Sequence, residues 1–154
     1  LHAAVSLPGG VYRAQRKRAF LRPHRFLLMV EKELSALYQA YEQALVSNDV
    51  EALEDFFWDS PQAVRFGAEE NLFGSQAIRE FRRDRSPEWL ERRVTKVEYI
   101  VLDEDHGVIN LCFVRNFKDE LREGRQTQVW KRFPDIGSKI LSAHVSLIER
   151  KENE

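Results

Sequence analysis

Arg125-Gln126-Thr127-Gln128-Val129-Trp130-Lys131-Arg132-Phe133 decides how this chain is read. Side chains alternate between the two faces of a strand, so Gln126, Gln128 and Trp130 share one face and Thr127 and Val129 the other. Pro134-Asp135-Ile136-Gly137-Ser138 is a turn by composition. Beyond it Ile140 to Ile148 alternates again, with Ala143, Val145 and Leu147 opposite Ser142, His144 and Ser146. Upstream, Thr95 to Leu102 and Val108 to Phe117 are two more strands, joined by the turn Asp103-Glu104-Asp105-His106-Gly107. Asp119 to Gly124 reads as a polar hairpin loop. Four strands with short connections form an antiparallel run.

Ahead of the strands the period is helical. From Glu31 to Val46, the apolar positions Leu34, Leu37, Tyr38, Tyr41, Ala44 and Leu45 recur three and four apart, which predicts an amphipathic helix. Ser47-Asn48-Asp49 breaks it, and Asp49 is placed to cap a short helix, Val50 to Phe57, with Leu53, Phe56 and Phe57 inward. Ser75 reads as the cap of a third helix, Gln76 to Arg83, with Ile78 and Phe81 on one face. Arg82 to Arg93 reads as a charged connection interrupted by Pro87. Three helices followed by antiparallel strands is an α+β fold, with the helices packed on one face of a curved sheet. A conical cavity between helices and sheet is the expected pocket.

At 154 residues and 43% hydrophobic content, the chain has enough apolar side chains for one core, so one domain and one site are expected. The formal charge of −1 is unevenly spread. Arg13, Arg16, Lys17, Arg18, Arg22 and Arg25 all precede Met29, with no acid among them, which leaves the rest at about −7. An acidic body argues against nucleic acid as a partner. Residues 1–28 read as a flexible basic leader or upstream extension, a transit-type segment being the alternative, and residues 29–154 as the single domain.

Cys112 is the only cysteine, so no intrachain disulfide forms and a reducing, cytoplasmic setting is the simplest reading. No apolar run reaches the roughly 20 residues of a spanning helix, which argues against a membrane protein. The four histidines have no ligand spacing, and Asp103-Glu104-Asp105 lacks the rest of a calcium loop. Nucleotide-binding glycine motifs and G-x-S-x-G are also missing, so neither metal nor organic cofactor is expected.

Val64-Arg65-Phe66-Gly67-Ala68-Glu69-Glu70-Asn71-Leu72-Phe73-Gly74 supplies the candidate site. On a strand Arg65 points away from the face of Val64 and Phe66, toward either solvent or a pocket floor. A guanidinium on a pocket floor is a rigid fork of donors suited to a carboxylate. Gln126, Gln128 and Trp130 join it only if their face is the inner one, and register decides that. Tyr41 is either a core tyrosine or, if its hydroxyl approaches Arg65, a proton donor or acceptor of lowered pKa. Glu69 and Glu70 are either a general base or solvated loop acids.

Gln128-Val129-Trp130 and Ile140-Leu141-Ser142-Ala143-His144-Val145-Ser146, in this order of elements, resemble the nuclear transport factor 2-like or SnoaL-like superfamily. Tyr41-Glu42-Gln43-Ala44-Leu45, Asn48-Asp49, Phe57-Trp58, Val64-Arg65-Phe66-Gly67, Glu70-Asn71-Leu72, Gly124-Arg125-Gln126 and His144-Val145-Ser146 resemble the AtzH-like family more closely, over residues 30–149. That resemblance implies a cone-shaped fold and a decarboxylating amidohydrolase of cyanuric acid and nitrogen-compound catabolism, converting 1,3-dicarboxyurea to allophanate. It also implies Tyr41 and Arg65 as the catalytic pair. Gln126, Gln128 and Asn71 would then orient the urea, and Phe57, Trp58 and Trp130 would form a dry wall. An amidase is the implied functional partner, and a homodimer through the open sheet face the expected assembly. The alternative is a non-catalytic ligand-binding or dimeric assembly module on the same fold.

Overall fold

A computed structural model describes residues 24–86 and 91–149, with side chains from Val30 onward. α1 (His24–Val46) begins before the expected Glu31. Its buried stripe is Leu34, Tyr38, Tyr41, Ala44 and Leu45, the three-and-four spacing of the sequence. The proposed leader falls, up to residue 23, outside the described residues, and from His24 the chain is already helical.

Asn48, at φ 53°, turns the chain out of α1, and Asp49 caps α2 (Val50–Phe56) by accepting from the Ala52 N–H at 3.1 Å. Phe57 has already left that helix and bridges Ile140. α3 (Ser75–Asp84) starts differently from expectation: Gly74 occupies the cap position, at φ 89°, with no side-chain cap. Ser75 is instead the first helical residue, and its hydroxyl donates to Asp59 Oδ1 at 2.8 Å, tying the start of α3 to the segment after α2.

The strands are β1 (Val64–Phe66), β2 (Asn71–Phe73), β3 (Arg93–Val101), β4 (His106–Phe117), β5 (Glu120–Phe133) and β6 (Gly137–Ile148), in the order β2-β1-β6-β5-β4-β3. β3 to β6 are the expected antiparallel meander, while β1 joins β6 in parallel, so the sheet is mixed. The loop read at Asp119–Gly124 is strand. Lys118 and Asp119 alone turn the hairpin, with φ of 50° and 65° at the two central residues, the primed geometry that suits twisted strands. His106 and Gly107 likewise belong to β4, and the turn before them closes on Asp103 Oδ1, which accepts from the N–H groups of Asp105 (2.8 Å) and His106 (2.9 Å).

Register shifts at Val94/Lys96 and Val129/Trp130 bend the long strands. The three helices pack on the concave side, over a core of Leu53, Ile78, Ile109, Phe113, Trp130 and Ile140. Gly124 makes room for the Phe113 ring: a Cβ there would lie 2.2 Å from Phe113 Cζ. This is the expected α+β cone. Among the described residues no helix is long and apolar enough to cross a membrane.

Candidate functional site

Register places the site. Arg65 pairs with Ala143, Ala143 with Gln128, Gln128 with Ile109, and Ile109 with Tyr99, so these residues form one row across the sheet. Neighbouring strands are about 4.8 Å apart, which separates the Arg65 and Gln128 backbones by roughly 10 Å with only the Ala143 methyl between them. The next row carries Val145 and Gln126. Arg65, Gln126, Gln128 and Trp130 are all buried, on the concave side.

Arg65 Nη1 donates to Glu70 Oε1 at 2.5 Å, and its guanidinium lies 5.1 Å from the Phe81 ring centroid. Gly67 permits this pairing, since a Cβ there would sit 1.6 Å from Glu70 Oε1. Glu69 turns outward to Lys118 at 2.7 Å. A cavity of about 330 Å³ opens above Arg65, lined also by Glu70, Phe81, Arg85, Arg115 and Lys118. Burial pulls Arg85 down to about 10, reinforced by Arg82 and Arg65, and burial with Arg92 also lowers Arg115.

Behind this wall, Arg82 is wholly buried on the stripe Ser75, Ile78, Arg82 of α3. Its Nη2 donates to the Tyr41 hydroxyl at 3.1 Å, and its guanidinium stands 5.3 Å over the Phe57 ring. Burial alone would push the Tyr41 phenol up. The charges of Arg82, Arg65 and Arg92, with the Arg82 hydrogen bond, more than reverse this and bring it to about 8. Arg92 is itself held by Glu42 through two hydrogen bonds of 2.8 and 2.6 Å.

Gln128 Oε1 accepts from the Trp130 indole N–H at 3.0 Å. Indole only donates, so this contact fixes which end of the amide faces it and leaves Nε2 as the outward donor. That Nε2, Gln126 Oε1, Arg65 Nε and both Nε and Nη1 of Arg82 are buried without a hydrogen-bond partner among the described residues. One acceptor and one donor on neighbouring amides, among arginine N–H groups, can bond a small polar ligand that offers both an N–H donor and anionic oxygens.

The AtzH-like family profile matches residues 27–151. The chain belongs to the AtzH-like family. A solved structure of a protein with unknown function from Pectobacterium atrosepticum SCRI1043, of the DUF3225 family, is 36% identical over 79% of this chain and 92% of its own, with a TM-score of 0.73. A cystatin-like fold protein from Burkholderia xenovorans LB400 is 33% identical over 84% and 96%, with a TM-score of 0.71. A nuclear transport factor 2-like protein from Salmonella enterica serovar Typhimurium, 19% identical over 82% and 99%, shares the fold at a TM-score of 0.66. No curated protein matches the sequence.

In this AtzH-like chain Tyr41, Arg65, Gln126, Gln128, Phe57 and Trp130 all lie on the concave side. Two of the expected residues do not join them. Trp58 stacks on Phe133, with centroids 5.7 Å apart, because Phe57 takes the inward position beside it. Asn71 is exposed: it pairs with Phe66, and Leu72 is the β2 residue that shares Arg65's face. The sequence reading missed Arg82, Arg85, Arg92 and Arg115. For Arg82 the signal was present, four residues after Ile78 on one helix stripe. Arg92 and Arg115 carry no comparable local mark.

Proposed function

We propose that the chain is a decarboxylating amidohydrolase for a small N,N′-dicarboxylated urea, of the type that converts 1,3-dicarboxyurea to allophanate. The observation that carries this is Arg65, a buried guanidinium at a cavity edged by Arg85 and Arg115, with a glutamine donor–acceptor pair two strands away. Arg65 holds one carboxylate through its Nε edge, while Gln126 accepts a urea N–H and Gln128 donates to the urea carbonyl. The bond between nitrogen and the second carboxylate breaks and carbon dioxide leaves. The electron pair stays on nitrogen, which takes the Tyr41 proton. The phenolate is held by Arg82 until solvent restores its proton. Overall, a dianion and one proton give allophanate and carbon dioxide.

A second reading, a small-carboxylate-binding module without turnover, is favoured by one observation: Tyr41 is buried behind Arg82 and is not among the residues lining the Arg65 cavity. Under either reading the proposed assembly is a homodimer through the outer sheet face, where Phe66 meets His144 edge to face at 5.8 Å. An amidase consuming allophanate is the proposed functional partner of the enzyme.

The test is allophanate formation from enzymatically generated 1,3-dicarboxyurea, with wild type, with Arg65→Ala and without protein. Because N-carboxylated ureas lose carbon dioxide spontaneously, the rate without protein is the baseline. Acceleration that falls by about 100-fold or more in the variant is the expected result. No acceleration by folded wild type overturns the reaction and leaves the binding module.

A further inference from the structure

Arg82 is the site residue with the least conventional surroundings. It is wholly buried, yet among the described residues its hydrogen bond goes to a phenol and not to a carboxylate. The nearby acids are engaged elsewhere: Glu70 on Arg65, Glu42 on Arg92, and Glu54 on Arg83 through hydrogen bonds of 2.7 and 3.0 Å. A second buried cation, Arg65, acts on Arg82 with the same sign. A buried guanidinium with unpartnered Nε and Nη1 is costly, and an anion's oxygens are the groups that relieve the cost. Gln126 Oε1 and Gln128 Nε2 are also buried and lack a partner among the described residues, and a polar ligand would satisfy them too.

We propose that a carboxylate bound in the arginine cluster and the proton on Tyr41 are linked through Arg82, so that binding the anion keeps Tyr41 in its proton-carrying form. The inference deepens the reaction proposed above, and the linkage can be tested without that reaction.

The charged groups acting on Tyr41 come from every side that packs on it. They are Arg82 from α3, Arg85 at that helix's C-terminal cap, Arg65 from β1 and Arg92 from just before β3; from α2 the neighbour is Phe56, edge to face at 5.8 Å. On α1 itself the adjacent Glu42 is tied to Arg92. With no anion bound, the phenolate that forms above about pH 8 is the negative charge that answers this cluster. A bound carboxylate takes over that role, lowers the positive potential at Tyr41 and raises its affinity for the proton. By reciprocity a proton bound at Tyr41 tightens carboxylate binding. When the C–N bond breaks, that proton moves to nitrogen, and the leaving product restores the phenolate's pairing with Arg82. Arg82 is thus a positioning residue, acting on the reaction through Tyr41.

The experiment is a pH titration of phenolate absorbance in the near ultraviolet, with and without glutarate, on the whole chain. Glutarate separates its carboxylates by three atoms, as 1,3-dicarboxyurea does, and neutral glutaramide is the control. One of the four tyrosines is expected to ionise at about 8, and this step is expected to be missing in Tyr41→Phe. Saturating glutarate is expected to raise the step by about one pH unit or more, corresponding to a tenfold change in proton affinity. Glutaramide is expected to leave it in place.

Arg82→Gln is expected to return the step toward 10 and remove the glutarate dependence, and Arg82→Lys to restore part of both. Absence of any tyrosine ionising well below 10, or a step that glutarate does not move, overturns the proposal in wild type alone, even if Arg82→Gln fails to fold. An unchanged glutarate shift in either folded Arg82 variant also overturns it. A shift without allophanate formation removes the reaction and keeps the linkage. Allophanate formation without a shift does the reverse.

Discussion

At the residue scale the site depends on side chains that would not tolerate one another without specific arrangements around them. Gly67 is the clearest case, because its missing Cβ is the space that the Glu70 carboxylate occupies on its way to Arg65. Gly67→Ala is therefore expected to expel Glu70 and destabilise the chain by roughly 1–3 kcal/mol, the cost of unpairing a buried charge partner. Combining it with Glu70→Ala should recover part of that loss, which a double-mutant cycle by urea unfolding measures.

Tyr41 gives a second prediction at this scale, through pH. Its phenol ionises near 8 when folded and near 10 when unfolded, so the unfolded chain binds more proton between those values and stability rises with pH. The contribution is complete above 10 and lost as the pH falls through 8. Compared with Tyr41→Phe, the wild type should gain up to roughly 2–3 kcal/mol across that window in urea midpoints taken at each pH. Tyr38 has the opposite sign: burial first, then Glu42, push it up to about 12, so its share is present below 10 and lost as the pH rises toward 12.

At the scale of elements the β4–β5 hairpin, which carries Gln126 and Gln128 on one arm, turns on two non-glycine residues in the left-handed region. Asp119→Gly relieves one of them and is expected to raise stability by about 0.5 kcal/mol or more, read as a higher urea midpoint at unchanged slope. The polar run Asp119–Gly124 looks like a loop because its strand residues face solvent, and composition cannot tell a solvated strand from a loop. Where one face is buried, period two was enough, and all four long strands were legible from it. The same period placed the glutamines and Trp130 on one face but could not say which face, since only the Arg65–Ala143–Gln128 pairing settles that. Asn71 entered with the family resemblance and no strand face was read for it; it is offset from Leu72 by one and so falls on the face opposite Arg65. Arg82 was readable from its spacing to Ile78, yet it stands in a run of arginines that looks like a solvated connection.

At the scale of the whole molecule, an acidic chain has brought positive charge inside. Arg65 and Arg82 are buried, and Arg85 and Arg115 line the cavity beside Lys118, against Glu69 and Glu70. Like charges held together in a poorly hydrated site lower the stability of the protein without its ligand, and an arriving dianion relieves that strain. Burial and the neighbouring Arg82 and Arg65 already pull Arg85 down to about 10, which marks it as a group the folded chain holds at a cost. Arg85→Gln is accordingly expected to stabilise the protein by on the order of 1 kcal/mol after allowing for solvent screening, and to weaken glutarate binding at the same time. Opposite signs in the two measurements, a thermal melt without ligand and a glutarate titration, identify a charge kept for binding. A melt that falls together with the affinity would show instead that Arg85 holds the fold, and the positive interior would then owe nothing to an anionic ligand at that position.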